Sequence, residues 1–177
     1  MNRECLDTDG TLAFMKLIPY LTGSGPRNEI IVKDLKSNGE HFNLILSDRL
    51  EHLQILRNML PAELKGASVM IDGSMTSKNA RAERERAIED MRNGKKHFLF
   101  ATFSLAKEGL DIPCLDRLYM TLPKKDYAVV TQSVGRIARV FSGKEDAVCY
   151  DYVDDIQFCE NQWKRRRAHY RKAGCIL

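Results

Sequence analysis

The sequence has no Cys-x-x-Cys pair, and its five cysteines, Cys5, Cys114, Cys149, Cys159 and Cys175, are odd in number and widely scattered. That distribution speaks against a disulfide framework and a thiolate zinc site, and reads the thiols as reduced packing groups. No apolar run reaches the roughly 18 residues that a membrane-spanning helix requires, and the first residues lack a signal-peptide pattern, so the expected compartment is cytoplasmic. The histidines, His41, His52, His97 and His169, have no ligand spacing. Gly-x-x-x-x-Gly-Lys-Ser/Thr is missing: Ser142-Gly143-Lys144-Glu145 has neither its glycine spacing nor the hydroxyl that would hold magnesium. Gly-x-Gly-x-x-Gly, Gly-x-Ser-x-Gly and His-Glu-x-x-His are missing too. A self-contained hydrolase or dehydrogenase site is therefore not visible.

What is present describes one folded domain, or one with a short extension: 177 residues, 44% hydrophobic and 29% charged. The formal charge of +4 is unevenly spread, because residues 161–177 carry six Lys or Arg and no acid. Such a face attracts phosphate backbones, although a solvated helix end accounts for it equally well.

Short runs rich in branched or aromatic residues at 42–46, 67–71, 98–101, 118–122 and 147–153 read as strands. Helical stretches at 49–60, 79–92, 127–141 and 156–172 separate or follow them. This alternation predicts an α/β fold with an open, mostly parallel sheet and helices on both faces, whose functional loops follow the carboxyl ends of the strands. Residues 1–40 form a helical lead-in, with helices at 12–21 and 28–36 around a flexible break at 22–26. It either packs on the domain of residues 41–177 or tethers it to a preceding one.

Two segments carry candidate chemistry. In the helix expected at 127–141, Val130, Val134, Ile137 and Phe141 gather on one side, and Gln132, Arg136 and Arg139 on the other with Gly135 at their edge. Two forked guanidiniums and an amide suit bidentate phosphate contact, and a surface salt-bridge face fits the same residues. Gly135 costs the helix ~1 kcal/mol relative to Ala, which points to close approach of a backbone or ligand. Residues 101–113 begin where the third strand ends and read as a loop. Thr102 and Ser104 offer hydroxyls there, and Gly109 with Asp111 offers a turn and a carboxylate able to accept from ribose hydroxyls. In the terminal helix, Ile156, Cys159, Trp163 and Tyr170 share a side, leaving Arg165, Arg166 and Lys172 more exposed.

Ala101-Thr102 with Gly109-Leu110-Asp111-Ile112-Pro113, followed by Gln132-Ser133-Val134-Gly135-Arg136-Ile137-Ala138-Arg139, resembles motifs V and VI of superfamily 2 helicases and translocases. Residues 43–49 look like motif IV, and Ile71-Asp72-Gly73-Ser74-Met75 resembles the next segment of that family. The resemblance implies the RecA-like C-terminal lobe of such an engine, whose phosphate loop and Asp-Glu motif belong to an N-terminal lobe. It implies ATP with Mg2+ in the cleft between lobes, the metal held mainly by the other lobe. Arg139 would be the arginine finger, Arg136 its phosphate-contacting neighbour, and Gly109, Asp111 and Gln132 further nucleotide contacts. Ser47, Gly73 and Thr102 correspond to positions that track a nucleic-acid backbone. Ser133 stands where many relatives carry Arg, and the Ala-Lys-Glu-Gly-Leu-Asp form of motif V looks closer to the DNA-translocating branch than to RNA helicases. The implied partners are DNA rather than RNA and the N-terminal lobe, with no membrane. A module of the same shape without turnover, binding nucleic acid or protein, is the alternative.

Overall fold

In the computed structural model, which describes residues 14–73, 77–107 and 110–177, five strands form one all-parallel sheet: β1 (Asn43–Ser47), β2 (Ser68–Ile71), β3 (Phe98–Thr102), β4 (Arg117–Met120) and β5 (Val148–Asp151), in the order β2-β3-β1-β4-β5. Around it lie α1 (Phe14–Gly23), α2 (Gly25–Ser37), α3 (Leu50–Asn58), α4 (Ala62–Gly66), α5 (Lys78–Arg92), α6 (Phe103–Lys107), α7 (Tyr127–Ile137) and α8 (Gln157–Lys172). Parallel neighbours need crossovers, and the helices supply them.

Strand periodicity divides the core in two. Leu44, Leu46, Leu99, Ala101, Leu118 and Met120 face one cluster, which Leu17, Met91, Val130 and Ile137 complete. Ile45, Phe98, Phe100 and Tyr119 face the other, against Ile31, Leu35, Leu53 and Leu56. All of β1 is buried, as the central strand of such a sheet must be. A register slip of one residue would exchange the two side-chain sets, so the alternation fixes the pairing. The two leading helices are part of this packing: α1 contributes Leu17 and Leu21 to the first cluster and α2 contributes Ile31, Val32 and Leu35 to the second. β1 is followed by α3 on the second face, whereas β2, β3, β4 and β5 are followed by helices that pack on the first. Adjacent strands at β1 thus send their chains to opposite faces, the arrangement that opens crevices at the carboxyl edge of an open sheet.

Several elements differ from the sequence reading. The expected break at 22–26 shrinks to Ser24, because α1 runs to Gly23 and α2 starts at Gly25 with Pro26 in its first turn, where a missing N–H costs nothing. Residues 12 and 13 lie outside the described chain. The stretch 49–60 forms α3, and α4 follows as a separate turn. Residues 103–107, read as loop, form α6, since Phe103, Leu105 and Ala106 are buried in the first cluster. The helix expected to reach Phe141 stops at Ile137, so Phe141 does not join the apolar side of α7 and is 42% exposed.

The clearest correction is Arg166, which is fully buried rather than exposed. It follows Cys159 and Gln162 at helical spacing on the inner side of α8, where Asp151 at the end of β5 needs a counter-charge. Arg166 Nε and Nη2 donate to the Asp151 carboxylate at 2.6 and 2.8 Å, and Nη1 donates to the Lys124 carbonyl at 3.0 Å. The Tyr170 hydroxyl donates to the same carboxylate at 2.8 Å. A buried ion pair needs this saturation, because its desolvation otherwise exceeds the Coulombic gain. Burial and the adjoining Asp151 push the Cys149 thiol up to about 12, so it is a packing group. Cys114, Cys149, Cys159 and Cys175 are in no disulfide, and Cys5 lies outside the described residues. Among the described residues no helix is long and apolar enough to cross a membrane.

Candidate functional site

The two motif segments meet in space. Asp126 caps α7, accepting from the Ala128 and Val129 amides at 2.9 and 3.3 Å, and Val129, Val130, Val134 and Ile137 bury the inner face. Gln132 and Gly135 are left exposed and Arg136 half-buried. Arg136 donates through Nε and Nη2 to the Ala106 carbonyl of α6, at 3.3 and 3.2 Å. Arg139 lies beyond the helix, two residues past Ile137, and its Nη1 is bonded to the Asp111 carboxylate. Asp111 also accepts from Arg92 at the end of α5: Nε donates to its carbonyl at 2.7 Å and Nη2 to its carboxylate at 3.2 Å.

Arg92, Asp111, Arg136 and Arg139 therefore form a partly exposed cluster with three guanidiniums around one carboxylate. Burial and the neighbouring Arg139 charge lower the Arg136 pKa, partly offset by Asp111. An arriving anion would relieve that repulsion. Gly109 lies outside the described residues. A Cβ at Gly135 would meet nothing within 4 Å, so among the described residues no backbone makes the close approach inferred from that glycine.

A second group gathers at the carboxyl ends of β2 and β3. The Thr102 and Ser104 hydroxyls are 2.9 Å apart and exposed, and a Cβ at Gly73 would sit 3.9 Å from Ser104 Oγ. Ser47, expected to join them, is different. It is fully buried, its hydroxyl accepts from the Arg49 amide at 3.1 Å, and it lies 3.2 Å from His52 Nδ1. His52 Nε2 is 3.0 Å from Asn28 Oδ1, whose amide nitrogen donates to the Thr22 carbonyl at 2.9 Å. Since Asn28 offers an oxygen, Nε2 carries the proton and Nδ1 accepts from Ser47. Burial, with Arg27 nearby, lowers the His52 pKa to about 4, keeping the ring neutral. Ser47 thus shapes the turn after β1 from inside.

Sequence reasoning missed two contributors. Arg92 ends an ordinary amphipathic helix, and Lys144 sits in a turn where Gly143 has φ +82°. Arg92 reaches Asp111 across 19 positions and Lys144 reaches Leu115 across 29, and no local pattern encodes either contact. Among the described residues no group of three or more His, Cys, Asp or Glu could hold a metal ion.

A family model described as the helicase conserved C-terminal domain matches residues 27–141. The chain belongs to that family. The match runs from α2 through the Arg136–Arg139 segment, so this helicase C-terminal domain contains both motif segments that meet at Asp111. A relative described as "Putative helicase 22" of Sulfolobus islandicus filamentous virus is 29% identical over 140 residues, 79% of this chain and 24% of the viral protein. "Putative mitochondrial ATP-dependent helicase irc3" of Schizosaccharomyces pombe is 34% identical over 76 residues, 43% of this chain and 12% of that protein. The chain thus spans a quarter or less of the curated relatives it matches. Among solved structures, T4 UvsW superposes with a TM-score of 0.70 at 15% identity, covering 90% of this chain and 35% of that one. The C-terminal domain of the DEAD-box protein Dbp5 does so with 0.67 at 19% identity, covering 87% and 82%. The helicase domain has the RecA-like α/β fold of these C-terminal lobes.

Proposed function

We propose that this chain supplies the C-terminal motor lobe of an ATP-dependent DNA helicase or translocase. The meeting of Arg136 and Arg139 with Asp111 at one half-exposed edge carries the reading. Guanidinium forks suit polyphosphate oxygens, and the Mg2+ ion that accompanies ATP is assigned to an N-terminal lobe. Bound Mg2+ supplies charge neutralisation across the phosphates. Arg139, whose partner is a carboxylate exposed to solvent, exchanges Asp111 for the transferred phosphoryl group and stabilises its developing charge. Arg136, braced by Ala106, holds an adjacent phosphate oxygen. Asp111, released by Arg139 and still held by Arg92, accepts from ribose hydroxyls, with Gly109 and Gln132 as further nucleotide contacts.

Thr102 and Gly73 follow a nucleic-acid backbone with a hydroxyl and a backbone amide, and Ser47 supports that track by fixing the Asp48-Arg49 turn. Such contacts carry no base information, so binding is sequence-independent. DNA is the favoured strand because the motif V residues resemble the DNA-translocating branch. The test compares ATP turnover by this chain alone with turnover by a protein joining it to an N-terminal lobe, each with DNA and with RNA. Turnover only in the joined protein, stimulated by DNA, is the expected result. Turnover by this chain alone that survives repurification would overturn the shared-site reading, and stimulation by RNA alone would reassign the substrate.

A further inference from the structure

A crevice of about 710 Å³ opens at the carboxyl ends of β1 and β4, between α1 and α8. The helices following β1 and β4 leave on opposite faces, so it occupies the position where open α/β sheets bind ligands. Its walls are Ile18, Pro123 and Phe158, and Arg49 and Lys125 are exposed at its rim. The acids beside them are engaged. Asp48 pairs with Lys124 at 2.5 Å, and Asp126 caps α7. Arg49 and Lys125 make no ion pair among the described residues, which leaves two unpaired positive charges over a largely apolar trough.

Inside the crevice is a polar atom without a partner. Gln162 of α8 is only 8% exposed, lines the crevice, and its Oε1 is buried with no hydrogen bond. An unsatisfied buried acceptor is costly, so it marks a place where a donor is wanted. Arg166 lies one turn along α8 and ties the helix to Asp151 and to the Lys124 carbonyl, which holds Gln162 against the loop after β4.

We propose that this crevice seats one nucleotide of the bound strand, its phosphate on Arg49 and Lys125, its base between the apolar walls, and a base N–H donated to Gln162 Oε1. The inference rests on the nucleic-acid reading above and extends its track from β2 and β3 across β1 to the β4 side. Every base has an edge N–H, so the contact anchors a base without selecting one.

The test is fluorescence anisotropy of this chain with a labelled oligothymidylate and with a fully abasic strand of the same length, over a salt series. The unmodified chain should bind the intact strand roughly five- to tenfold more tightly, the scale of one seated base. Gln162→Leu should close most of that gap while leaving abasic binding unchanged. Lys125→Glu should weaken both strands and lower the salt slope by about 0.7, one single-strand phosphate. Arg165→Glu, on the exposed side of α8, is a surface control for α8 and should leave the intact-to-abasic gap unchanged. Thermal melts confirm folding, and Lys125→Glu keeps the test alive should Gln162→Leu not fold. Unaltered binding by both variants overturns the crevice while the nucleic-acid reading stands. No binding of any strand at low salt overturns that reading itself.

Discussion

Lys144 donates its ammonium to the carbonyl of Arg139 at 2.9 Å, to that of Leu115 at 2.7 Å, and to that of Ile137. All three of its N–H groups are thereby used, one of them on the carbonyl of the last residue of α7, where a cation is also favoured by the helix dipole, and one on Arg139 just beyond it. This contact explains why α7 stops at Ile137 and why Arg139 leaves it toward Asp111. Burial lowers the Lys144 pKa, the cost of placing the ammonium there.

Lys144→Met should therefore loosen the Arg139 segment without touching either ligand. Charged hydrogen bonds are worth about 1.5–3 kcal/mol, so the denaturation midpoint should fall by a loss in that range. ATP turnover in a protein carrying both lobes should fall as well, with nucleic-acid affinity kept. Turnover per folded molecule equal to the unmodified protein would show that Lys144 does not position Arg139.

Arg166→Leu should be among the most destabilising changes on α8, because Asp151 would remain buried and charged. Breaking one partner of a buried pair costs about 3–5 kcal/mol, whereas replacing both by apolar residues recovers much of it. Urea denaturation of Arg166→Leu, and of Arg166→Leu combined with Asp151→Leu, checks both expectations. A loss under ~1 kcal/mol in the single variant would contradict the buried pair.

His52 makes stability depend on pH. Its folded pKa of about 4 lies below the ordinary 6.5, so below pH 6.5 the unfolded chain takes up a proton that the folded one refuses. The contribution is complete above pH 6.5 and is lost as pH falls toward 4, amounting to about 2 kcal/mol between pH 6.5 and 5. His52→Asn should flatten the stability profile over that interval in paired denaturation curves. An unchanged slope would show that His52 titrates normally.

The strands and the alternation were legible because apolar period and length are local signals, as in 98–101 and 42–46. The pairing of Asp111 with Arg139 is not anticipated in the sequence: the motif resemblance names both as nucleotide contacts, and neither residue differs locally from an ordinary surface charge. Arg166 was misread because its charge argued for solvent, while the reason for its burial, Asp151, lies 15 residues away on another element. Helix ends failed for the same cause: α7 is stopped by Lys144, a residue outside it.

Arg139 decides between motor and mere scaffold. Among the described residues its guanidinium is hydrogen-bonded to Asp111, 63% exposed, and an ion pair so open to solvent contributes little to stability. Arg139→Ala should leave the melting temperature within about a degree of the unmodified protein and slow single-turnover ATP hydrolysis by roughly 10³-fold in a protein carrying both lobes. Arg139→Lys should recover little, because a compact ammonium cannot present the planar fork. Asp111→Asn separates the two contacts, since it releases Arg139 from its carboxylate while weakening the ribose site. It should therefore raise KM for ATP more than it lowers kcat. A structural Arg139 would give the reverse pattern, a lower melting temperature for Arg139→Ala with turnover per folded molecule unchanged.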